Sequence, residues 1–237
     1  MAKKLGIAAL ALMLALGGAL WLGQNRDTGM TPLAALAQDS TTTAPAADAA
    51  AAPAAAAPTA PLPAVPDMVL GNADAPITLI EYASFTCPHC AHFHETVFKD
   101  LKKDYIDTGK VKFVYREVFF DRYGLWAAMI ARCGGDTRYF GISGMLFDQQ
   151  KEWAASEDPA VVVENLKKIG RTAGMDDAAM MTCLQDSAMA EAMVAKYQET
   201  SAADKVEGTP TLIINGEKNS NMSYEDLKKI LDAKLAG

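Results

Sequence analysis

Apolar and polar positions along the chain fall into three regimes. Residues 5–22 carry no charge, and residues 41–66 are almost wholly Ala, Pro and Thr. Beyond them, apolar residues recur with the periods of strands and helices. The run Ile77-Thr78-Leu79-Ile80-Glu81-Tyr82-Ala83 predicts a strand, entered through the turn-forming Gly71-Asn72-Ala73-Asp74-Ala75-Pro76. Phe93, Val97 and Leu101 then repeat at helical spacing until Gly109. Val111, Phe113 and Tyr115 alternate with Lys112, Val114 and Arg116 as a second strand running toward Phe119. Residues 121–203 read as helical: Asp121 caps a helix ending at Gly134, Asp158-Pro159 opens one ending near Gly170, and Ser187 opens a third. The tail returns to mixed structure. Thr211-Leu212-Ile213-Ile214 is a strand, Asn215-Gly216 a tight hairpin turn, and Ser223 the cap of a final helix through Leu235. The order predicts an α/β domain in two parts, 67–121 and 204–237, interrupted by an all-helical insertion at 122–203. No internal repeat is visible.

Composition adds a destination. Met1-Ala2-Lys3-Lys4 ahead of the apolar residues 5–22 is a basic region followed by a hydrophobic one, the pattern of an export signal. The apolar run is close to the roughly 18 to 20 residues that span a membrane, so a retained anchor is the alternative to cleavage after Ala35-Leu36-Ala37. Residues 1–37 are therefore read as signal or anchor, and 38–66 as a semi-extended Ala/Pro linker that cannot bury a core. With Lys3 and Lys4 on the cytoplasmic side, the remainder faces the periplasm, where disulfides persist. Net charge is −7, and loss of residues 1–37 makes it more negative, which excludes nucleic acid as a partner.

The chemistry centres on Cys87-Pro88-His89-Cys90, placed where the first strand hands over to the first helix. Two thiols so spaced can close a disulfide over one helical turn, with the first sulfur among the free N–H groups of the helix start. Cys87 takes the cap position as the accessible nucleophile, Pro88 the first turn, and Cys90 a buried position one turn in. His89 can place positive charge or an N–H donor near the Cys87 sulfur, which lowers its pKa into a range of about 3.5 to 7.5. A stabilised thiolate favours the dithiol and makes the disulfide an oxidant. The competing readings are a plain staple or a metal site built from Cys87, Cys90, His92 and His94. Helix geometry weakens the latter, since Cys90 and His94 share a face and His92 does not. No metal and no cofactor are expected. Farther along, Thr209-Pro210 precedes a strand where a trans proline would be out of place, so a cis bond is expected there, beside the cysteines and open to an extended substrate.

The segments 81–90, Glu81-Tyr82-Ala83-Ser84-Phe85-Thr86-Cys87-Pro88-His89-Cys90, and Gly208-Thr209-Pro210-Thr211, with a helical block between them, resemble a DsbA-type thiol:disulfide oxidoreductase over residues 67–237. The resemblance implies a thioredoxin-like fold with a helical insertion and a reactive first cysteine. It also implies reduced, unfolded exported proteins as substrates and a quinone-linked membrane oxidase for reoxidation. It places an acid, Glu81, beneath the cysteines, able to accept or relay the proton of the buried thiol; taken alone, Glu81 reads equally as a satisfied structural carboxylate. Thr209 ahead of the proline is more similar to isomerase and reductase relatives, whereas residues 41–66 offer no dimerisation domain, so a monomeric oxidase is expected. Cys133 and Cys183 are read as a structural disulfide, with a second redox pair as the alternative. Met180, Met181, Met189 and Met193 read as core filler ahead of a copper site.

Overall fold

A computed structural model describes residues 61–237. The signal or anchor segment and the linker as far as residue 60 lie outside the described residues, and among those described no helix is long and apolar enough to cross a membrane. Five strands, β1 (Met68–Leu70), β2 (Ile77–Ala83), β3 (Val111–Glu117), β4 (Thr211–Ile214) and β5 (Glu217–Ser220), form one sheet in the order β1-β3-β2-β4-β5. β2 and β3 run parallel, with Glu81 opposite Tyr115. The other pairings are antiparallel, and β4 places Leu212 opposite Glu81 from the other side.

Strand alternation sends Ile77, Leu79, Glu81 and Ala83 of β2 to one face of the sheet, so a carboxylate occupies a position where its neighbours along the strand are core residues. The opposite face carries a smaller cluster of Tyr82, Val118 and Ile213, with Ile80, Tyr197 and Val206 against it.

The helix after β2 is less regular than its sequence predicts. It begins as α1 (Pro88–Phe93), widens into a π-helical turn over His94–Phe98, tightens as α2 (Lys99–Leu101), and widens again over Lys102–Ile106. Its buried residues Phe93, Val97, Leu101 and Tyr105 keep a strict four-residue step. That step outruns the 3.6-residue α turn by ~40° each time, and the wider turns absorb the drift and keep all four on the core.

Six helices follow β3: α3 (Arg122–Cys133), α4 (Asp136–Asp148), α5 (Gln150–Trp153), α6 (Pro159–Thr172), α7 (Asp177–Leu184) and α8 (Ser187–Ala203). Asp121, Asp158, Asp176 and Asp186 cap α3, α6, α7 and α8, each accepting from a backbone N–H of the first turn. The cap of α8 is thus Asp186, one residue before the expected Ser187. Met180 and Met193 are buried in the main core. β3 ends at Glu117, short of Phe119. Asn215 and Gly216 turn the β4–β5 hairpin with φ of 50° and 86°, and Ser223 accepts from the Asp226 N–H to start α9 (Tyr224–Leu235).

Candidate functional site

Cys87 is the cap residue of α1 with an extended backbone, and Pro88 fills the first helical position where a missing N–H is harmless. The Cys87 carbonyl accepts from Cys90 and Ala91 N–H at 3.1 and 3.2 Å, which fixes the turn between the sulfurs. Cys90 is fully buried; Cys87 is 9% exposed, less than an accessible nucleophile was expected to be. The reason is the loop before β4. The Thr209–Pro210 bond is cis, and the Thr209 carbonyl oxygen lies 3.6 Å from the Cys87 sulfur. The Thr211 hydroxyl donates to Gly208 O at 2.7 Å across that loop. Beside it runs a groove of about 390 Å³ lined by Gly208, Thr209 and Pro210 and by Lys218 and Asn219 of β5.

Both sulfurs are free thiols with opposite tendencies. Hydrogen bonding from the Cys90 thiol, with help from the Thr209 hydroxyl and the backbone N–H groups of Cys90 and His89, pulls Cys87 down to about 5 against the opposing effect of burial. Burial above all, then the bond to Cys87 and the charge of Glu81, pushes Cys90 well above the usual thiol range. The Thr209 hydroxyl is buried without a well-directed partner, yet close enough to both sulfurs to favour either as thiolate. His89 acts on Cys87 through its main chain, with its imidazole exposed.

Beneath the pair, Glu81 is wholly buried and its Oε2 is 3.0 Å from His94 Nε2. His94 stacks on Phe147 and Phe98, with ring centroids 4.0 and 4.5 Å away. His92, in contrast, is exposed, and no group of three potential metal ligands occurs among the described residues.

Two residues anchor the site in ways the sequence did not show. Gln150 of α5, itself buried, donates from Nε2 to Phe85 O at 2.8 Å and Cys87 O at 3.0 Å, tying the helical block to the turn that carries the cysteines. Asp121 caps α3 and also accepts from the Thr86 hydroxyl at 2.6 Å. Asp121 was legible as a cap. Gln150 gave no signal, since its partners are backbone carbonyls more than sixty residues away. The structure thus brings together Glu81, Cys87, Pro88, Cys90, Thr209 and Pro210. It places Cys133 and Cys183 elsewhere, bonded to each other at the ends of α3 and α7, 50 residues apart in sequence.

A dithiol at a helix start, faced by a cis-proline loop on a mixed sheet with a helical insertion, defines a thioredoxin-fold dithiol protein. The family model described as thioredoxin matches residues 64–233, and the chain belongs to that family. Among its members it is built like the DsbA proteins: Wolbachia pipientis alpha-DsbA1 is 28% identical, superposes with a TM-score of 0.67, and is matched over 73% of this chain and 92% of its own. A protein-disulfide isomerase from Novosphingobium aromaticivorans is 25% identical with a TM-score of 0.63, over 72% of this chain and 98% of that one. A Rickettsia typhi protein carrying the name protein-disulfide oxidoreductase is 37% identical over 170 residues, 71% of this chain and 62% of its own. The chain therefore spans about three fifths of the length of that curated relative.

Proposed function

We propose that the protein is an exported thiol:disulfide oxidoreductase that donates the Cys87–Cys90 disulfide to reduced substrate proteins. A substrate thiolate attacks Cys87, a mixed disulfide forms, and a second substrate thiol releases the oxidised product. The supporting observation is the contrast between Cys87, drawn down to about 5, and the buried Cys90, pushed up. The low-pKa thiol is the better leaving group, so exchange runs toward the reduced enzyme. At pH 7 a thiol of pKa about 5 is two units past its midpoint, worth about 2.7 kcal/mol to the dithiol, or about 60 mV of oxidising power. Thr209, Pro210 and the adjoining groove hold the extended substrate, and Pro88 presets the turn.

In this reading residues 67–121 and 204–237 form the catalytic unit, 122–203 the insertion, 38–66 a spacer and 1–37 a signal or anchor that delivers a monomer to the periplasm. The enzyme leaves each cycle reduced, and a quinone-linked membrane oxidase restores it. Cys133–Cys183 is the structural bridge. The alternative reading, an isomerase, is favoured by the Novosphingobium relative and by Thr209. Refolding separates the two. An oxidase forms disulfides in a reduced, unfolded protein faster than it repairs a scrambled one; the opposite ranking selects the isomerase, and no activity on either rejects both.

A further inference from the structure

The partner of Glu81 is a second ionisable side chain whose place in the fold the exchange chemistry leaves unused. Cys90 and His94 are four residues apart and share a helix face; His94 bonds Glu81 of β2, and the charge of Glu81 is felt at Cys90. Of the three, Cys90 and Glu81 have no exposure at all, whereas His94 retains 6%. Glu81 spends one carboxylate oxygen on His94 Nε2, and its other oxygen, Oε1, is buried without a partner. A buried carboxylate with one oxygen vacant is expensive unless that oxygen has a task. The imidazole sits in a π-helical turn between Phe98 and Phe147, which fix its plane. Facing the pair from β3 is Tyr115, its hydroxyl bound to Ala83 O at 3.3 Å and pushed well above its ordinary range by burial, with Tyr139 and Glu117 behind it. β4 contributes the uncharged Leu212.

We infer that His94 is a positioning residue that holds Glu81 by one oxygen and connects it to water, so that Glu81 can pass a proton between the buried Cys90 and the solvent. The inference rests on the exchange reaction proposed above. In that reaction the Cys87–Cys90 bond breaks as the substrate sulfur bonds to Cys87, and Cys90 leaves with the electron pair. A bare thiolate is unfavourable where Cys90 sits, so it takes up a proton drawn from water and handed on through His94 and Glu81. No outside oxidant or reductant enters this step.

The test follows reduction of the oxidised full chain by excess dithiothreitol under stopped flow from pH 6 to 8, in the natural protein and in His94→Gln, His94→Phe, Glu81→Gln and the His94→Gln/Glu81→Gln double variant. Gln retains an N–H donor for Glu81 but carries no proton. The expected result is a loss of about tenfold in both His94 variants, below the full range for direct acid–base catalysis because His94 acts through Glu81. The loss grows with pH as protons become scarce, and the double variant is no slower than Glu81→Gln. A natural rate in His94→Gln would reduce His94 to a structural hydrogen bond and overturn the inference, as would strict additivity. If the variants do not fold, the natural protein still decides: at one pH the His94 ring resonances should move between the oxidised and dithiol forms, with exposed His92 as the reference, and unchanged His94 resonances would overturn it. A natural protein that does not react with dithiothreitol would instead count against the exchange function itself.

Discussion

The two cysteine pairs differ in a way that burial alone would misjudge. Cys87 and Cys90 are both buried, yet they are the pair equipped for exchange; Cys133 and Cys183 are each partly exposed, yet they are joined. Position on the helix accounts for the difference. Cys87 caps the start of α1, where the Cys90 thiol one turn on, then Thr209 and the backbone N–H groups of the first turn, favour its thiolate, and the positive end of the dipole adds to them. Cys133 closes α3 and Cys183 lies in the last turn of α7, at the negative ends of their helices, where a thiolate is disfavoured. A disulfide whose sulfurs are poor thiolates is a poor target for reduction. Reactivity here follows the field at the sulfur more than its access to water.

The comparison can be broken by substitution. Cys87→Ala should abolish oxidation of a dithiol peptide, whereas the Cys133→Ser/Cys183→Ser variant should retain it; loss of turnover in both would merge the roles of the pairs. Removing the second bridge frees a loop of 50 residues, and the chain-entropy model sets the destabilisation at about 4 kcal/mol. Guanidinium unfolding should register that loss with no change in the Cys87–Cys90 potential.

A third test uses pH. The Cys87 thiol sits at about 5 in the folded dithiol protein and at 9.0 when unperturbed, so between these values the unfolded chain binds more protons. Stability of the dithiol form should therefore rise with pH across that window, by about 2.7 kcal/mol at pH 7, and be lost as pH falls through 5. The disulfide form carries no such titration, so the difference between the two unfolding curves isolates it. The smallest effect belongs to Thr209→Val, which removes a hydroxyl of about 1 kcal/mol. It should raise the Cys87 pKa by less than about one unit, read by thiolate absorbance.

Legibility in the sequence followed how local each signal is. The C-P-H-C turn, the strands of residues 77–83 and 211–214, the Asn215-Gly216 hairpin and the Ser223 cap are short-range devices, and each is found where the pattern put it. α4 was not visible because its cap is Gly135, with φ 72° and no side chain to accept a hydrogen bond, and β1 is only three residues long. The π-helical turns escaped because the four-residue apolar step looks like ordinary helix. In the site, the cysteines and the cis-proline loop could be read directly. Gln150 and the Glu81–His94 bond could not, since they join distant segments and depend on tertiary packing. His94 was weighed only as a metal ligand, and the structure turns it toward Glu81 instead.

The most direct measurement is the reduction potential of each pair separately, by equilibration in glutathione buffers followed by trapping and mass analysis of the individual cysteines. Cys87–Cys90 should reduce at a potential about 50 mV above the roughly −270 mV of thioredoxin, whose reactive thiol has a pKa near 7, with Cys133–Cys183 still joined throughout the same series. A Cys87–Cys90 potential at or below that of thioredoxin, or reduction of Cys133–Cys183 first, would contradict the assignment of thiolate stabilisation to the helix start.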